Sequence, residues 1–256
     1  MPEFEPLAGG FLPRCWTDGR RVLKIFDDGL PASLAVLGEL DLPVVAPEAT
    51  ATIAGWGVAL FPFVHGREAT RTDAPALART MRRMHDHPLV DLPRPPIEES
   101  WCLETMRNRL DHPWIRDRRV EIEAQLDRLE GAIGRARARP RHDVICHTDF
   151  GRHNALVDDD TGEVVAILDW DYARLAPREH DLWAAFEEAD PQAYLDTYGR
   201  DIDLDLAHLE YALLARALRD ATARVATESD REGIDTEGFA RWRRLDRNLE
   251  LARRQV

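Results

Sequence analysis

The sequence predicts an α+β fold in two lobes, a small antiparallel β-sheet with one helix followed by a larger, mostly helical lobe. The first sixty residues contain short strand-like runs and one short helical run. From about residue 73 the apolar residues recur at helical spacing, apart from a strand-like interlude at residues 143–168. We therefore expect an N-terminal lobe at residues 1–62 and a helical lobe at residues 63–256.

The N-terminal lobe is predicted from two hairpins with a helix between them. Residues 11–16 and 21–26 are strand-like runs separated by the turn sequence TDGR. Residues 31–40 begin with proline and carry leucine at helical spacing, which predicts a helix. Residues 51–54 and 57–63 resemble a second hairpin. These elements together form a small, mostly antiparallel sheet.

Helical spacing dominates the second lobe. Leu77, Met81 and Met84 recur on one predicted helix, and longer apolar faces follow within residues 122–133 and 206–218. Within the strand-like interlude, the turn sequence DDDTG separates the apolar runs NALV and EVVAIL. The interlude therefore predicts one hairpin inserted into a helical lobe.

Charge and hydropathy argue against two classes of partner. The net charge of −13 disfavours general nucleic-acid binding, which needs a basic face, and is compatible with a cationic small molecule. No run approaches about 18 uncharged apolar residues, and the start MPEFEP is acidic where a signal peptide is basic. We expect a cytoplasmic protein that binds neither nucleic acid nor a membrane, with a monomer as the default.

The cysteines do not form a disulfide framework. Cys15, Cys102 and Cys146 are odd in number and far apart, so we expect reduced thiols. A zinc site assembled from four nearby residues would fit no familiar ligand spacing. Those four residues are His142, Cys146, His147 and His153.

The chemistry is concentrated in the segment ICHTDFGRHNALV and in VVAILDWDYA after it. In the first segment Asp149 lies five residues before Asn154, and in the second Asp169 ends an apolar strand. Phosphoryl transfer needs a carboxylate that orients the attacking hydroxyl, and oxygen ligands that hold Mg²⁺ on the phosphates. Asp149 suits the first role, and Asn154 and Asp169 suit the second. A hairpin from Asn154 to Asp169 would bring the two ligands together.

These segments resemble the superfamily of aminoglycoside phosphotransferases and choline kinases, relatives of the protein kinases, over nearly the whole chain. LAGG resembles the loop that covers the phosphates, VLKIF the third strand and LFPFVHG the hinge. RRMHDHP resembles a family helix, HTDFGRHN the catalytic loop, ILDWDYA the metal-binding segment, and PREHDLWAAF the stretch after it. The resemblance implies a protein-kinase-like two-lobe fold and a phosphotransferase with an alcohol group as acceptor.

The resemblance also implies roles for individual side chains. Asp149 would be the catalytic base, and Asn154 and Asp169 would bind Mg²⁺. Lys24, the only lysine in the chain, would bind the phosphates of ATP or GTP.

Other nucleotide contacts would come from the backbone. On the same resemblance, Phe61, Phe63 and Val64 would receive the nucleotide base. Gly9 and Gly10 would let a loop approach the phosphates, because glycine permits a close backbone approach.

Three positions depart from the protein-kinase pattern. Thr148 stands where protein kinases have arginine, and Trp170 and Asp171 stand where they have phenylalanine and glycine. These differences favour a small-molecule acceptor over a protein substrate. Asp171 would contact a second metal or the substrate, or form a loop hydrogen bond.

A further departure concerns the partner of Lys24. The family has a glutamate early in the helix that follows the lysine strand, where this sequence reads PASL at residues 31–34. Glu39 comes late in that segment, and Asp27 and Asp28 precede it. Either one of these carboxylates substitutes, or Lys24 is held without the pair.

Residues outside the central pattern have structural interpretations beside functional ones. We expect hydrogen bonds from His147 to fix the loop, and Asp181 to be structural. Glu187, Glu188 and Asp220 are candidates for binding a cationic acceptor, although a solvated helix face is the simpler interpretation. Three tryptophans could line a pocket or pack in the core, namely Trp101, Trp114 and Trp183.

The leading hypothesis is a Mg²⁺-dependent kinase that transfers the terminal phosphoryl group of ATP or GTP to a hydroxyl of a cationic small molecule. An aminoglycoside-type antibiotic is the first candidate acceptor, which implies antibiotic resistance. The alternative acceptors are choline, ethanolamine, homoserine or a sugar. A nucleotide-binding module without turnover is a third hypothesis, supported only by the missing glutamate.

Overall fold

The computed structural model describes residues 4–7, 14–188, 190–227 and 239–254. The chain divides into two compact units. The first contains the described parts of Met1–Arg94, Val144–Ala176 and Gln192–Gly199, and the second contains the remainder. The predicted lobe boundary after residue 62 stays a prediction.

The N-terminal part of the first unit is an antiparallel five-stranded sheet. Its strands run in the order β1 (Glu5–Pro6), β2 (Cys15–Thr17), β3 (Arg21–Phe26), β5 (Trp56–Pro62) and β4 (Ala49–Ile53). Both predicted hairpins are therefore present among the described residues, although residues 11–13 of the first predicted strand lie outside them.

The turn between β2 and β3 forms as its sequence suggests. Asp18 accepts hydrogen bonds from the backbone N–H groups of Arg20 and Arg21, at 3.0 and 2.8 Å. Gly19 has a φ of 80°, a left-handed conformation that glycine adopts without steric cost. The turn aligns β3 so that Lys24 lies opposite Cys15 on β2 and Ala59 on β5.

The predicted helix at residues 31–40 is present as two short 3-10 helices, Ala32–Ala35 and Leu37–Glu39. Their hydrogen bonds span three residues, as in the bond from the Val36 N–H to the Ser33 carbonyl at 3.2 Å. Gly38 lowers the helix propensity of this short segment, and packing of its buried leucines decides the conformation instead.

The rest of the first unit surrounds a second, three-stranded sheet. Strands β6 (Arg67–Glu68), β8 (Ala155–Val157) and β9 (Val164–Ile167) form it in that order, all antiparallel. Helix α1 (Ala74–Asp86) contacts β9 and buries Leu77, Met81 and Met84 as predicted. The remaining elements of this region are β7 (Asp143–Cys146), its partner β10 (Arg174–Pro177) and α5 (Pro191–Tyr198).

The 3-10 helix Arg71–Asp73, which leads directly into α1, begins at a well-defined cap. The Thr70 side chain and the Asp73 carboxylate form a capping box, and Asp73 also accepts two hydrogen bonds from Arg67 at 2.7 and 2.9 Å. The Arg67 guanidinium is the main cause of a pKa of Asp73 well below its usual range. At the other end of α1, His85 Nδ1 lies 2.7 Å from the Tyr198 hydroxyl of α5.

The second unit is helical. Its central helix is α6 (Leu206–Thr227), whose buried residues include Leu209, Leu213 and Leu218. Around it pack α2 (Ser100–Asn108), α3 (Arg119–Arg137), α4 (Glu179–Leu182) and α7 (Ala240–Arg253). Of the helices in the described part of the chain, none has the length and apolar character needed to cross a membrane.

Candidate active site

The loop that carries Asp149 is fixed by His147. His147 is fully buried, and its Nε2 atom lies 2.8 Å from the carbonyl oxygen of Leu168. Its Nδ1 atom accepts a hydrogen bond of 3.2 Å from the Asp149 N–H, so the proton of the neutral ring is on Nε2. The predicted loop-fixing role of His147 is confirmed. These bonds also use both ring nitrogens, which argues against the zinc set considered from the sequence.

The Asp149 carboxylate has neighbours on both sides. The Asn154 side-chain amide donates to the Asp149 carbonyl oxygen at 3.0 Å and to its Oδ2 atom at 3.1 Å. His153 Nε2 lies 3.4 Å from Oδ1, and a quarter of the Asp149 side chain is exposed. The carboxylate is therefore held in one orientation and remains in contact with solvent.

The β8–β9 hairpin connects Asn154 with Asp169, as the sequence predicts. Ala155 is paired with Ile167, and the Leu168 N–H donates to the Asn154 carbonyl at 2.8 Å. The two predicted metal ligands thus flank the first residue pair of the hairpin. Asp169 has a φ of 61°, in the left-handed region that non-glycine residues rarely adopt.

Lys24 reaches this region from the N-terminal sheet. Its Nζ atom lies 2.7 Å from Asp169 Oδ1, and 2.9 and 2.8 Å from the two oxygens of Asp171. Burial of the ammonium opposes its charge, but the two carboxylates outweigh burial and raise the pKa of Lys24. Burial, followed by the neighbouring Asp169, raises the pKa of Asp171 to about 6 against the opposing effect of Lys24.

Two other side chains belong to the Lys24 face of the sheet. The Lys24 Nζ atom lies 4.9 Å from the centre of the Phe26 ring, a cation–π contact two residues along the same strand. Cys15 faces the same side, because directly opposed residues of antiparallel strands share a face. Burial raises the pKa of the Cys15 thiol.

The carboxylates considered from the sequence do not pair with Lys24. Glu39 is exposed at the end of the second 3-10 helix, Asp28 is exposed before the first one, and Asp27 forms an ion pair with Arg14. The pairing with Asp171 was missed, since no local signal links residues 147 positions apart.

The predicted nucleotide-base contacts lie at the end of β5. Phe61 is within the strand, and Phe63 and Val64 follow it, all half-buried. The Phe63 N–H donates to the Arg20 carbonyl at 2.8 Å, so this group already has a backbone partner. Gly9 and Gly10 lie outside the described residues.

Two of the three acidic candidates in the second unit, Glu187 and Asp220, are paired with arginines. Glu187 lies 2.8 Å from Arg244 and 3.4 Å from Arg241, which also pairs with Asp220. Arg216 lies 3.3 Å from Asp220. Both carboxylates are therefore neutralised from within the unit. The solvated helix face considered from the sequence is wrong for Glu187 and Asp220.

The remaining candidates are mostly packing residues. Asp181 is fully buried, as expected for a structural residue, and Glu188 is half-buried. Trp183 is buried under the Arg216 guanidinium, which lies 4.2 Å from the ring centre. Trp101 is 54% exposed and Trp114 is half-buried, so core packing holds for Trp183 alone.

The antiparallel sheet and the helical second unit have the architecture of a protein-kinase-like fold. The model of the phosphotransferase enzyme family matches residues 3–213, and the chain belongs to that family. The predicted superfamily, fold and enzyme class, a phosphotransferase with an alcohol group as acceptor, are confirmed.

Solved structures share this fold at low sequence identity. Spectinomycin phosphotransferase in complex with ADP and spectinomycin has a TM-score of 0.64 at 16% identity, over 99% of this chain and 93% of that one. Choline kinase from Streptococcus pneumoniae has a TM-score of 0.67 at 17% identity, over 97% and 94%. An APH(2") enzyme in complex with GDP and kanamycin has a TM-score of 0.63 at 13% identity, over 99% and 92%. A sequence comparison with curated proteins found no match.

Proposed function

We propose that this phosphotransferase is a kinase that transfers the terminal phosphoryl group of ATP or GTP to a hydroxyl of a small molecule in the cytoplasm. The observation that carries the proposal is the contact between Lys24 and Asp169, 2.7 Å apart although they are 145 positions apart in sequence. It brings a mobile cation and an anionic metal ligand to one place, the combination that phosphate binding requires.

The residues at this place fit Mg²⁺. Asn154 donates both of its described amide hydrogen bonds to Asp149, which leaves its side-chain oxygen as the ligand atom. Asp169 adds a carboxylate that is 44% exposed. Oxygen ligands of this kind suit Mg²⁺. When bound, the ion would neutralise charge on the phosphates.

The protein groups would divide the reaction between them. Asp149 would accept a hydrogen bond from the acceptor hydroxyl and take its proton during transfer, held in place by His147 and Asn154. Lys24 would bind phosphate oxygens and stabilise charge in the transition state. The backbone of Phe61, Phe63 and Val64 and the loop of Gly9 and Gly10 would contact the nucleotide, within a nucleotide-binding lobe at residues 1–62.

We propose a cationic acceptor, with an aminoglycoside-type antibiotic first, which would make the protein a resistance enzyme. Two of the solved relatives are complexes with spectinomycin and kanamycin, which supports this candidate. The net charge of −13 would attract a cation.

A metabolic acceptor is the second candidate, since another relative is a choline kinase. The metabolic acceptors considered are choline, ethanolamine, homoserine and a sugar. The arginines on Glu187 and Asp220 favour this candidate, because an acceptor with several amines would have to displace them.

An acceptor screen tests the proposed function. The purified protein is incubated with Mg²⁺, ATP or GTP and a panel of aminoglycosides, amino alcohols and sugars, and the products are identified by phosphorus NMR. We expect one acceptor class to be phosphorylated and Asp149→Ala to be inactive. Asp160→Ala, in the exposed β8–β9 turn, is the matched control. If the native protein and Asp149→Ala bound nucleotide equally well and neither transferred phosphate to any acceptor, the proposal would be overturned. That result would support a nucleotide-binding module without turnover.

A further inference from the structure

The two carboxylates that contact Lys24 differ in the number of oxygen atoms they offer and in their exposure to solvent. Asp171 places both of its oxygens within 2.9 Å of Nζ, whereas Asp169 places one oxygen there, at 2.7 Å. The Asp171 side chain is 21% exposed, like that of Lys24, whereas that of Asp169 is 44% exposed. Asp171 therefore makes the more enclosed contact with the ammonium.

Asp171 is carried by a well-anchored segment. It lies in the middle of a 3-10 helix, Trp170–Tyr172, which packs against the 3-10 helix Ala32–Ala35 of the same unit. The buried Trp170 ring donates from Nε1 to the Ile167 carbonyl at 3.0 Å. Thr148 Oγ1 donates to the Tyr172 carbonyl at 3.2 Å. Hydrogen bonds therefore hold both residues that flank Asp171, so the backbone that carries its carboxylate is fixed in position.

The two partners also differ in what else they are needed for. On the proposed function, Asp169 binds Mg²⁺ when the nucleotide is present, and a carboxylate bound to a dication offers less negative charge to an ammonium. Lys24 then needs a second carboxylate to keep its Nζ atom near the phosphates. The alternatives considered from the sequence do not contact Lys24 in the described structure, because Asp27 is paired with Arg14 and both Asp28 and Glu39 are exposed.

We propose that Asp171 is the positioning residue for Lys24, in place of the glutamate that the segment at residues 31–34 lacks. This inference rests on the proposed role of Lys24 in binding phosphate. Asp171 would hold the Lys24 ammonium close to the phosphates while Asp169 binds the metal ion. The geometry that assigns this role is the two-oxygen contact from an anchored helix.

Chemical labelling tests the pair without any assay of activity. Lys24 is the only lysine, so acylation by a water-soluble succinimidyl ester at fixed pH gives one side-chain amide, resolved from the N-terminal product by mass spectrometry. We expect Asp171→Asn to raise the acylation rate of Lys24 several-fold, because the amine then keeps only its contact with the more exposed Asp169 and is more accessible to the reagent. Glu39→Gln is the matched control and should react like the native protein. Equal rates in Asp171→Asn and the native protein would overturn the pairing.

A double-mutant cycle tests the role in transfer. We expect Asp171→Asn to lower kcat/KM for the nucleotide about tenfold, within the range for coupled neighbours. In a Lys24→Met background the same change should have almost no further effect, because the residue it positions is gone. Asp171→Glu, which keeps the charge, should recover part of the activity.

A different outcome would assign Asp171 to a metal instead. If the losses in Lys24→Met and Asp171→Asn multiply, and if raised Mg²⁺ concentration restores Asp171→Asn, the positioning role is overturned. Thermal unfolding of each variant separates these effects from misfolding. If the native protein transfers no phosphate at all, the proposed function fails, whereas the labelling experiment still decides whether Asp171 holds Lys24.

Discussion

The side-chain amide of Asn154 donates to both the carbonyl oxygen and the carboxylate of Asp149, at 3.0 and 3.1 Å. One asparagine therefore orients the proposed base with its nitrogen and offers its oxygen to the proposed metal. Neither aspartate nor alanine at this position could do both.

We expect Asn154→Asp to lower kcat by about 10²-fold or more, a loss in the range seen when a general base is misplaced. The new carboxylate keeps an oxygen ligand but replaces a donor to Asp149 with a like charge. Steady-state kinetics with saturating nucleotide measures the effect. Asn108→Asp, at the exposed end of α2, is the matched control and should leave kcat unchanged. A native-like kcat in Asn154→Asp would contradict the dual role.

The second prediction concerns Lys24→Arg, which keeps the positive charge but changes its shape. A planar guanidinium cannot replace a compact ammonium between Asp169 and Asp171, so turnover should fall by about tenfold or more while thermal stability changes little. Kinetics and thermal unfolding, compared with Arg20→Lys at an exposed position, measure the two effects. If the variant were as active as the native enzyme, the lone lysine would be incidental.

Acid should weaken the capping box at Thr70 and Asp73, which precedes helix α1. The pKa of Asp73 is lowered below the value of about 3.9 of an unfolded aspartate, chiefly by Arg67. The Asp73 carboxylate therefore contributes fully to the free energy of unfolding above a pH of about 3.9, and this contribution is lost as the pH falls through the pKa of the folded state. We expect Asp73→Ala to reduce the free energy of unfolding by about 1–2 kcal/mol at pH 7, and by less near pH 3.

Urea unfolding at the two pH values measures this difference. Asp86→Ala removes the exposed ion pair between Arg82 and Asp86, and it should change stability by less than about 1 kcal/mol at either pH. An Asp73→Ala effect that stays constant with pH would show that the cap does not depend on the charge of Asp73.

Alkylation of Cys15 should report on the occupancy of the proposed nucleotide site. Cys102 and Cys146 are buried, and burial raises the pKa of Cys102 to about 12, so Cys15 is the thiol that iodoacetamide should reach first. Mg²⁺ with ATP or GTP should slow this reaction, because Cys15 shares a face with Lys24. Intact-protein mass spectrometry follows the rate, with Cys15→Ser as the control. Equal rates with and without nucleotide would place the nucleotide elsewhere.

Local signals in the sequence predicted the parts of the site that adjoin one another along the chain. The turn sequence DDDTG fixes the β8–β9 hairpin, and the hairpin register brings Asn154 and Asp169 together. The turn sequence TDGR likewise predicts the hairpin that aligns Lys24.

Features that depend on packing or on distant residues could not be predicted. Leucines three residues apart fit an α-helix and a 3-10 helix equally well, so residues 31–40 did not reveal which would form. The contact of Lys24 with Asp171 joins residues 147 positions apart, and the left-handed backbone at Asp169 occurs without a glycine that would predict it. Arg241 and Arg244 reach Glu187 and Asp220 from a helix distant in sequence, and opposite charges alone do not specify such pairs. Arg216 lies four residues before Asp220 on α6, a spacing that does predict a pair.

The backbone is left-handed at Thr148 and Asp169, with φ values of 69° and 61°, so the proposed site stores conformational strain that lowers the stability of the fold. Glycine would relieve strain of about 1–3 kcal/mol at either position. It would also remove the hydrogen bond from Thr148 to the Tyr172 carbonyl or the ion pair of Asp169 with Lys24, which offsets the gain. Ala54, with a φ of 51° in the turn between β4 and β5, offers the same gain without touching the site. An engineered thermostable form should therefore be sought at Ala54 first.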